Sequence, residues 1–420
     1  MKRSPWYWIP TVYIAEGLPY FAVNTLTVLM YNNMGVSKSE MAFFTGWLYL
    51  PWVIKPFWSP FVDLIRTKRW WTLTMQCLIA VCMAMVAFLL PTSFYFASTL
   101  VVFWLMAFCS ATHDIAADGY YMLELDERQQ AAYVGVRSTF YRFASLMGQG
   151  GLVILAGLLE ESLGEVSRAW SMTFLILSLF FGLIFIYHLR FMPRSSDDQP
   201  HLCESVSNIV RGFGETFVTF FRKRNIRWAL VFMLLYRLPE ALCIKLVQPF
   251  LVDNTAMGGL GLTTAQVGFV NGTIGVIALL IGGIVGGLVV ARGGLKRWLW
   301  PMAMSLALPC IVYCYLAMSP TDNMFVICSL LGIEQLGYGF GFTAFMLYLM
   351  YFSRGVSQTS HYAFCTAFMA FGMMIPGMFA GHIYEWIGGY VGFFWIVMIS
   401  CVFTIIATGG IYRTLNSDVK

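Results

Sequence analysis

Charged residues are scarce in this chain of 420 residues. Asp, Glu, Lys and Arg make up 11% of it, whereas 59% is hydrophobic. Typical soluble domains carry roughly 25% charged residues, so this composition excludes an ordinary soluble fold and predicts a polytopic protein whose main partner is the lipid bilayer. The net charge of +5 does not indicate a nucleic-acid partner, because basic residues of such chains concentrate in cytoplasmic loops.

Several chemical motifs are also absent. The ten cysteines are scattered, mostly in apolar runs, without a CxxC pair or a Cys/His spacing typical of zinc, so we predict no metal site and no cofactor. No glycine-rich phosphate-binding loop is present, which argues against direct use of ATP. The first run is basic and then apolar to about Met30 without a small-residue cleavage site, so we expect a retained span and not a signal peptide.

What the chain does contain is a series of apolar stretches of about 20 residues, the length that crosses a bilayer as a helix. One long polar segment separates six of them from six others. We therefore predict an N-terminal six-helix bundle over 1–190, a cytoplasmic linker over 191–225 and a C-terminal six-helix bundle over 226–420. The twelve predicted spans lie near 6–30, 41–62, 70–90, 94–118, 131–158, 168–190, 226–252, 264–290, 298–318, 322–352, 359–380 and 389–412.

Basic residues decide the predicted orientation. With the N-terminus inside, the cytoplasmic loops and tails contain nineteen Lys and Arg residues, and the loops on the other side contain two, Lys38 and Arg168. This bias predicts that both termini are cytoplasmic.

This arrangement resembles the plan of the major facilitator superfamily, whose pseudo-symmetric halves hold substrate near the membrane midplane. The turn after span 2, SPFVDLIRTKRW, contains Asp63, Arg66 and Arg69 and is similar to the acidic-basic loop between spans 2 and 3 of that superfamily. The turn after span 8, GGLVVARGGLKRW, repeats the pattern without the aspartate. The resemblance implies an all-helical fold of twelve spans and a gating or structural role for these three residues. Two ordinary basic loops are the alternative interpretation.

Acidic residues inside the predicted spans are the main functional signal, because a carboxylate within a membrane-spanning helix costs at least ~2.5 kcal/mol. Asp114 and Asp118 are four residues apart and therefore share one helix face. The acids fall only in spans 1, 4, 7 and 10, which line the cavity in the superfamily, so the pattern predicts a polar central cavity. The five acids are Glu16, Asp114, Asp118, Glu240 and Glu334.

Five bases also lie within spans, and hairpin geometry predicts partners for several of them. Counting outward from a turn near residue 35 places Glu16 and Lys55 at the same depth in the membrane. Counting from a turn near residue 128 does the same for Asp114 with Arg142 and for Asp118 with Arg137. Arg237 and Glu240 are three residues apart and close enough to pair. Glu334 has no evident partner. The five bases are Lys55, Arg137, Arg142, Arg237 and Lys245.

These pairs allow two interpretations. As structural ion pairs they neutralise buried charge and hold helices or gates. For the pairs that involve Lys55 and Arg137, this interpretation and a transport role are equally good explanations. For Asp114 we favour a functional role, because a carboxylate facing an arginine can exchange that partner for a proton or a substrate anion. The neighbouring His113 allows both a titrating and a purely hydrogen-bonding role.

Five segments narrow the resemblance to the AmpG muropeptide permeases, a branch of the superfamily. They are AEGLPY at 15–20, KPFWSPFVD at 55–63, ATHDIAADGY at 111–120, TTAQVGFVNGTIGVIALLIGGIVGG at 263–287 and EQLGYGFGFTAFMLYLM at 334–350. The resemblance implies proton-coupled import, across the bacterial inner membrane, of N-acetylglucosaminyl-1,6-anhydro-N-acetylmuramic acid with or without a peptide. We expect a monomer. Carried over by motif, the functional polar positions are Asp114, Asp118, Asn271 and Glu334.

The chain departs from this family at three places. His113 stands where the family usually has glutamine or asparagine, Tyr121 where it has arginine, and Arg237 with Glu240 where it more often has lysine and aspartate. Because these positions lie at or near the expected cavity, another amino sugar, anhydro-sugar or sugar acid is an alternative substrate.

The resulting hypothesis is alternating access around a midplane site. Asp114 would carry the coupling proton, with Asp118, Glu334 and Glu16 as further proton-coupling candidates. The candidates for binding a substrate carboxylate are Arg142 and Arg237, and Glu240 lies beside Arg237. Asn271 and Gln335 are the candidates for binding sugar hydroxyls and acetamido groups. Trp47, Trp104 or Tyr338 would stack on sugar faces.

Two other classes stay open. An intramembrane enzyme would use paired aspartates, or His113 with Asp114, for acid-base chemistry, but aspartyl intramembrane proteases have a GxGD-like motif and this chain reads AADGYY. We therefore predict that the protein is not an enzyme. A sensor that binds ligand without transporting it is separated from a transporter only by measurement of flux.

Overall fold

The computed structural model of the chain describes residues 4–195, 198, 206–355 and 358–415, without the side chains of some helical residues. The predicted role of Asp63 falls on one of these side chains and so lies outside the described residues. The described part is built of helices and short helical turns and contains no strand. The predicted all-helical fold is therefore confirmed.

Ten helices, among the described residues, are long and apolar enough to cross a bilayer. They coincide with ten of the twelve predicted spans and keep their span numbers here. In order, they are span 1 (Pro5–Asn33), 3 (Lys68–Leu89), 4 (Tyr95–Glu124), 5 (Gly135–Leu163), 6 (Val166–Phe191), 8 (Thr264–Gly293), 9 (Leu295–Met318), 10 (Met324–Ser353), 11 (Ser360–Ile387) and 12 (Tyr390–Thr414).

The other two predicted spans are helical but interrupted. Span 2 consists of Lys38–Trp47 and Leu50–Ile65, and span 7 consists of Ile226–Leu235, Leu238–Cys243 and Val247–Val252. Each interruption is followed within three residues by a proline, at positions 51, 239 and 249. Proline lacks the backbone N–H that a helix interior needs but is well tolerated in a first turn, so the helix restarts there.

In the described part of the chain, three spans contain a wider, π-helical turn. These turns are Ala22–Leu26 in span 1, Leu146–Leu152 in span 5 and Gly268–Gly275 in span 8. Such turns shift the helix register by one residue and are frequent at functional sites. The third one contains Asn271, a predicted substrate-binding residue.

The chain groups into two compact units. The first comprises Met1–Met34 and Ile54–Ile209. Within it, span 1 packs against spans 4 and 5, and span 3 packs against spans 4 and 6. Aromatic residues that include Trp8, Tyr13 and Tyr120 are fully buried in its core.

The second unit comprises Gly35–Val53 and Val210–Lys420. Span 10 packs against spans 8, 9 and 11, and the first helix of span 2, Lys38–Trp47, packs against span 11. The core of this unit includes Phe232, Tyr236 and Phe345. The predicted linker 191–225 contains a helix, Val206–Phe221, for which the sequence analysis offered no expectation. The predicted domain boundaries stay a prediction.

Candidate functional site

A cluster of three carboxyl groups lies inside the first unit. Glu16 comes from span 1, and Asp114 and Asp118 come from one face of span 4, as their spacing predicts. One oxygen of each residue lies within 4.8 Å of an oxygen of the other two. Packing of span 1 against span 4 brings these acids together although 98 residues separate Glu16 from Asp114.

Two bases contact this acidic cluster. Lys55 Nζ forms an ion pair with Asp114 Oδ2, and Arg137 Nη2 lies 2.7 Å from Asp118 Oδ1. Tyr13 donates a hydrogen bond of 3.1 Å to the same Asp118 oxygen, and the Arg137 guanidinium carbon is 4.7 Å from the centroid of the Tyr13 ring. Asp118 and Arg137 are therefore held by three mutually supporting contacts.

The predicted pairing is confirmed for Asp118 with Arg137 but is wrong for two other pairs. Lys55 pairs with Asp114 and not with Glu16. The Arg142 guanidinium makes no hydrogen bond or ion pair with any described residue, so the predicted Asp114–Arg142 pair does not form. Counting from a hairpin turn predicts depth in the membrane but not rotation about the helix axis, and rotation decides which base faces span 4.

Glu16 is the acid of the cluster that forms no ion pair with a described base. Its side chain is buried, with 8% exposure, and its Oε2 has no hydrogen-bond partner among the described residues. Three carboxylates against two bases leave one buried negative charge uncompensated, which is costly unless a cation neutralises it. Because Lys55 and Arg137 already supply two positive charges, this balance favours a single proton over a divalent metal ion.

His113 belongs to a separate hydrogen-bonded chain that the sequence analysis missed. Its Nε2 lies 3.0 Å from Gln76 Nε2, Gln76 Oε1 lies 2.9 Å from His188 Nδ1, and His188 Nε2 lies 2.7 Å from Thr11 Oγ1. Both histidines and Gln76 are fully buried. This series of hydrogen bonds joins spans 1, 3, 4 and 6, which indicates a packing role for His113. The available signal was a single amide, Gln76, in an otherwise apolar span.

The predicted gating residues Arg66 and Arg69 lie before and at the start of span 3. Arg69 donates hydrogen bonds to the carbonyls of Met192 (3.1 Å) and Leu189 (3.0 Å) at the end of span 6, and the Arg66 guanidinium lies 5.7 Å from the Trp70 ring. Asp198 accepts hydrogen bonds from the backbone N–H groups of Lys68 and Arg69, at 2.6 and 2.9 Å. A carboxylate from the predicted linker therefore caps span 3, which the sequence analysis did not predict.

In the second unit, the predicted Arg237–Glu240 pair is confirmed. Arg237 Nε lies 2.8 Å from Glu240 Oε2 and Arg237 Nη2 lies 2.9 Å from Oε1, a two-point geometry that fits a guanidinium and a carboxylate. Nη2 also donates to the Tyr338 hydroxyl at 2.7 Å, and the guanidinium lies 4.7 Å from the Phe342 ring. A substrate carboxylate would have to compete with Glu240 for this arginine.

Glu334 has no ion pair with a described base, as expected from sequence, but it has two hydrogen-bond partners that were not predicted. Its Oε2 accepts hydrogen bonds from the Tyr313 hydroxyl at 3.0 Å and from Gln335 Nε2 at 2.8 Å. The side chain is buried, with 7% exposure, and no described base forms an ion pair with it. Tyr313 is a member of the site that sequence analysis missed, since a tyrosine in an aromatic-rich chain carries no distinguishing signal.

The remaining predicted substrate-binding residues lie near these groups or stack on neighbours. Asn271 lies in the π-helical turn of span 8, where a Cβ added at Gly275 would be 3.2 Å from Gln335 Cγ and 3.7 Å from Asn271 Oδ1. The amides of Asn271 and Gln335 are thus close together in the second unit. Trp104, in the first unit, stacks on Phe108 with ring centroids 5.9 Å apart. The predicted roles of these residues stay predictions.

Comparison with known proteins supplies a family and a set of relatives. Residues 11–351 match the family described as Major Facilitator Superfamily. The chain is 27% identical over 380 residues to the Anhydromuropeptide permease of Escherichia coli (strain K12), covering 88% of this chain and 72% of that protein. It is 22% identical over 398 residues to Putative transporter AmpG 4 of Rickettsia conorii, covering 92% and 91%.

A solved structure with the same fold is a bacterial homologue of the human lysosomal transporter Spinster, in an inward-facing and unoccupied conformation. The two structures agree with a TM-score of 0.71 at 14% sequence identity, over 98% of this chain and 97% of the other. At this identity the likeness concerns the fold alone.

Proposed function

Because the chain belongs to the major facilitator superfamily and is a transporter rather than an enzyme, we propose that it imports anhydromuropeptides by symport with protons. The substrate is N-acetylglucosaminyl-1,6-anhydro-N-acetylmuramic acid, with or without its peptide, and the membrane is the bacterial inner membrane with both termini cytoplasmic. The name of the Escherichia coli relative and the five sequence segments support the substrate. The nineteen-to-two distribution of basic residues supports the orientation.

The single observation that carries proton coupling is the charge balance around Glu16, Asp114 and Asp118. Lys55 and Arg137 contact one aspartate each, while Glu16 is buried beside both aspartates and forms no ion pair with any base that the structure describes. A proton bound between Glu16 and Asp114 removes the repulsion between two close carboxylates. We therefore assign the coupling proton to the Glu16–Asp114 pair, and not to Asp114 alone as the sequence suggested.

Proton transfer at this pair would change the Lys55–Asp114 ion pair. A neutral Glu16 leaves Lys55 bound to Asp114, whereas loss of the proton gives Lys55 two carboxylates to satisfy. A two-state arrangement of this kind gives the proton different affinities in two conformations, which coupling requires. Substrate recognition would use Arg142, which has no ion pair with a described residue, for a carboxylate and the neighbouring amides of Asn271 and Gln335 for sugar groups.

The departures from the AmpG family bear on the alternative substrate. His113 binds Gln76 inside packed helices, and the Tyr121 hydroxyl donates to the Gln130 carbonyl at 2.6 Å, so neither gives a reason for a changed substrate. Arg237 with Glu240 is the departure that still favours a different amino sugar or sugar acid, because these groups form a polar cluster with Tyr338.

The decisive experiment is uptake of labelled N-acetylglucosaminyl-anhydromuramic acid by purified protein in proteoliposomes, with and without an inward proton gradient. We expect accumulation above equilibrium only with the gradient, and its collapse with a protonophore. Equilibration without accumulation would refute proton coupling. No uptake of this disaccharide, together with uptake of a smaller sugar acid, would replace the substrate assignment by the alternative.

A further inference from the structure

The second break of span 7 contains a buried lysine to which the proposed mechanism gives no role. Lys245 lies between the helices Leu238–Cys243 and Val247–Val252 and is 1% exposed. Gly377 of span 11 lies beside its aliphatic stem, since a Cβ added there would be 3.5 Å from Lys245 Cγ. The break in the helix and the glycine together make room for this side chain within the second unit.

The Lys245 ammonium group has one hydrogen-bond acceptor in the part of the chain that the structure describes. Nζ donates to Thr45 Oγ1 at 3.0 Å and lies 5.5 Å from the centroid of the Tyr49 ring. Thr45 in turn donates to the Met41 carbonyl at 2.6 Å. An ammonium group has three N–H donors, so two of them stay without an acceptor among these residues.

No described carboxylate forms an ion pair with Lys245. Glu240, five residues before Lys245 in span 7, is held at two points by Arg237, and Asp253 pairs with Lys38. The nearby Gln248 is also buried, and its Oε1 has no hydrogen-bond partner among the described residues. A charged group without a counter-ion inside a membrane protein is expensive and marks a pathway for substrate or ions.

Two kinds of contact attach the helix that covers Lys245, close approaches at glycines and one ion pair. Lys38–Trp47 packs against span 11, where Gly381 contacts the backbone of Lys38 and Gly46 contacts the Met378 side chain. At its first residue, Lys38 Nζ lies 2.8 Å from Asp253 Oδ2, and the Tyr390 hydroxyl donates to the same oxygen at 2.7 Å. Glycine contacts allow close packing without interlocking side chains. The Lys38 and Asp253 side chains are only 12% and 8% exposed, so this ion pair has to break, and its groups have to find other partners, when the helix moves away from span 11.

We propose that Lys245 is an entry receptor for the carboxylate of the transported substrate, uncovered when the Lys38–Trp47 helix separates from span 11. The substrate carboxylate then replaces Thr45 as the principal partner of the ammonium group, and Gln248 supplies an amide beside it. The proposal rests on the proposed function in one respect: the substrate is an anionic sugar derivative. It adds a specificity-determining residue, and it predicts discrimination against uncharged analogues.

The first test compares two labelled substrates in proteoliposomes, the anhydromuramic acid disaccharide and its carboxamide, whose carboxylate is uncharged. Lys245→Met keeps an unbranched side chain without the charge, and Lys245→Arg keeps the charge. Loss of a hydrogen-bonded charge partner raises the KM for the acid by roughly 30-fold or more, with a smaller change for the carboxamide. Lys245→Arg is expected to recover part of the preference for the acid. An equal loss for both substrates would contradict the receptor role.

A second test does not depend on the identity of the substrate. In a background without the native cysteines, Thr45→Cys is exposed to membrane-impermeant thiol reagents, one carrying a sulfonate and one a quaternary ammonium group. The measured quantity is the rate of reaction with the sulfonate reagent divided by the rate with the cationic reagent. Because Lys245 attracts anions, this ratio should be about tenfold higher with Lys245 present than in the Lys245→Met background. A ratio unaffected by Lys245 overturns the proposal.

These two tests separate the inference from the proposed function. If wild-type protein does not transport the disaccharide, the substrate assignment fails, but the reagent ratio still reports whether Lys245 attracts anions at an opening site. If wild-type uptake is normal and both Lys245 tests are negative, the receptor role alone is wrong.

Discussion

Lys55 of span 2 forms its ion pair with Asp114 of span 4. This choice of partner leaves Glu16 as the buried acid without a base in direct contact, although a hairpin count from sequence sets Glu16 and Lys55 at the same depth. The coupling hypothesis follows from that relationship, because an unpaired buried carboxyl group is the one whose charge a proton most readily removes.

Glu16→Gln is expected to uncouple transport from the proton gradient. The amide is neutral and nearly isosteric, so substrate exchange should continue while the accumulation ratio falls to about one, because no proton can leave the site. The measurement is gradient-driven uptake against substrate exchange in proteoliposomes. The matched control is Glu161→Gln, at an exposed position on the same unit, which should accumulate substrate as wild type does. Normal accumulation by Glu16→Gln would falsify the assignment.

Arg137→Gln is expected to lower the free energy of unfolding by about 1–3 kcal/mol, because it leaves the Asp118 carboxylate unpaired. The side chains of this pair are 33% and 30% exposed, so the loss should be smaller than for a fully buried pair. The double variant Arg137→Gln with Asp118→Asn removes both charges and should recover most of the stability. Thermal unfolding in detergent measures the stability of each variant. If the double variant is no more stable than Arg137→Gln alone, the pairing is contradicted.

His113→Leu is expected to reduce stability by about 1–3 kcal/mol, since Gln76 Nε2 then loses its buried acceptor. Proton-driven uptake should keep its pH profile, because the described hydrogen bond of His113 goes to Gln76 and not to a carboxylate of the acidic cluster. His113→Gln supplies an amide at this position and should be milder. Unfolding and the pH dependence of uptake are measured together. Unchanged stability with a displaced pH profile would return His113 to a titrating role.

Gly282→Ala is expected to destabilise the second unit by about 1–3 kcal/mol, since an added methyl group would contact the Leu336 carbonyl and lie 2.9 Å from the Phe340 backbone nitrogen. Gly287→Ala in the same helix is the control, because a Cβ there meets nothing within 4 Å of the described neighbours. The control should be neutral or slightly stabilising, since alanine is the better helix former. Equal effects in thermal unfolding would show that spans 8 and 10 do not depend on this close approach.

Fold class was predictable because it follows from local properties of the chain. A run of about 20 apolar residues must form a helix in lipid, since every backbone polar group needs an internal partner. The positions of all twelve predicted spans carry helix. The interruptions of spans 2 and 7 were signalled by prolines at positions 51, 239 and 249, but a count by hydropathy alone treats them as continuous.

The candidate site was predictable in its membership and less so in its contacts. The intramembrane acids and bases stand out because charge is scarce, and spacing within span 7 correctly paired Arg237 with Glu240. The hydrogen bonds of Gln76 and the cap formed by Asp198 were missed because their partners come from distant parts of the sequence, which no local pattern connects.

The sequence by itself determined the helical membrane fold, the order of the spans and the set of buried charges, since hydropathy, proline position and residue type act locally. Only the tertiary structure decided that Lys55 binds Asp114, that Glu16 and Lys245 lack counter-ions among the described residues, and that Glu334 meets Tyr313. The physical reason is that a buried charge is satisfied by whichever group the rotation and packing of neighbouring helices bring within about 3 Å, and a one-dimensional pattern contains no record of that rotation.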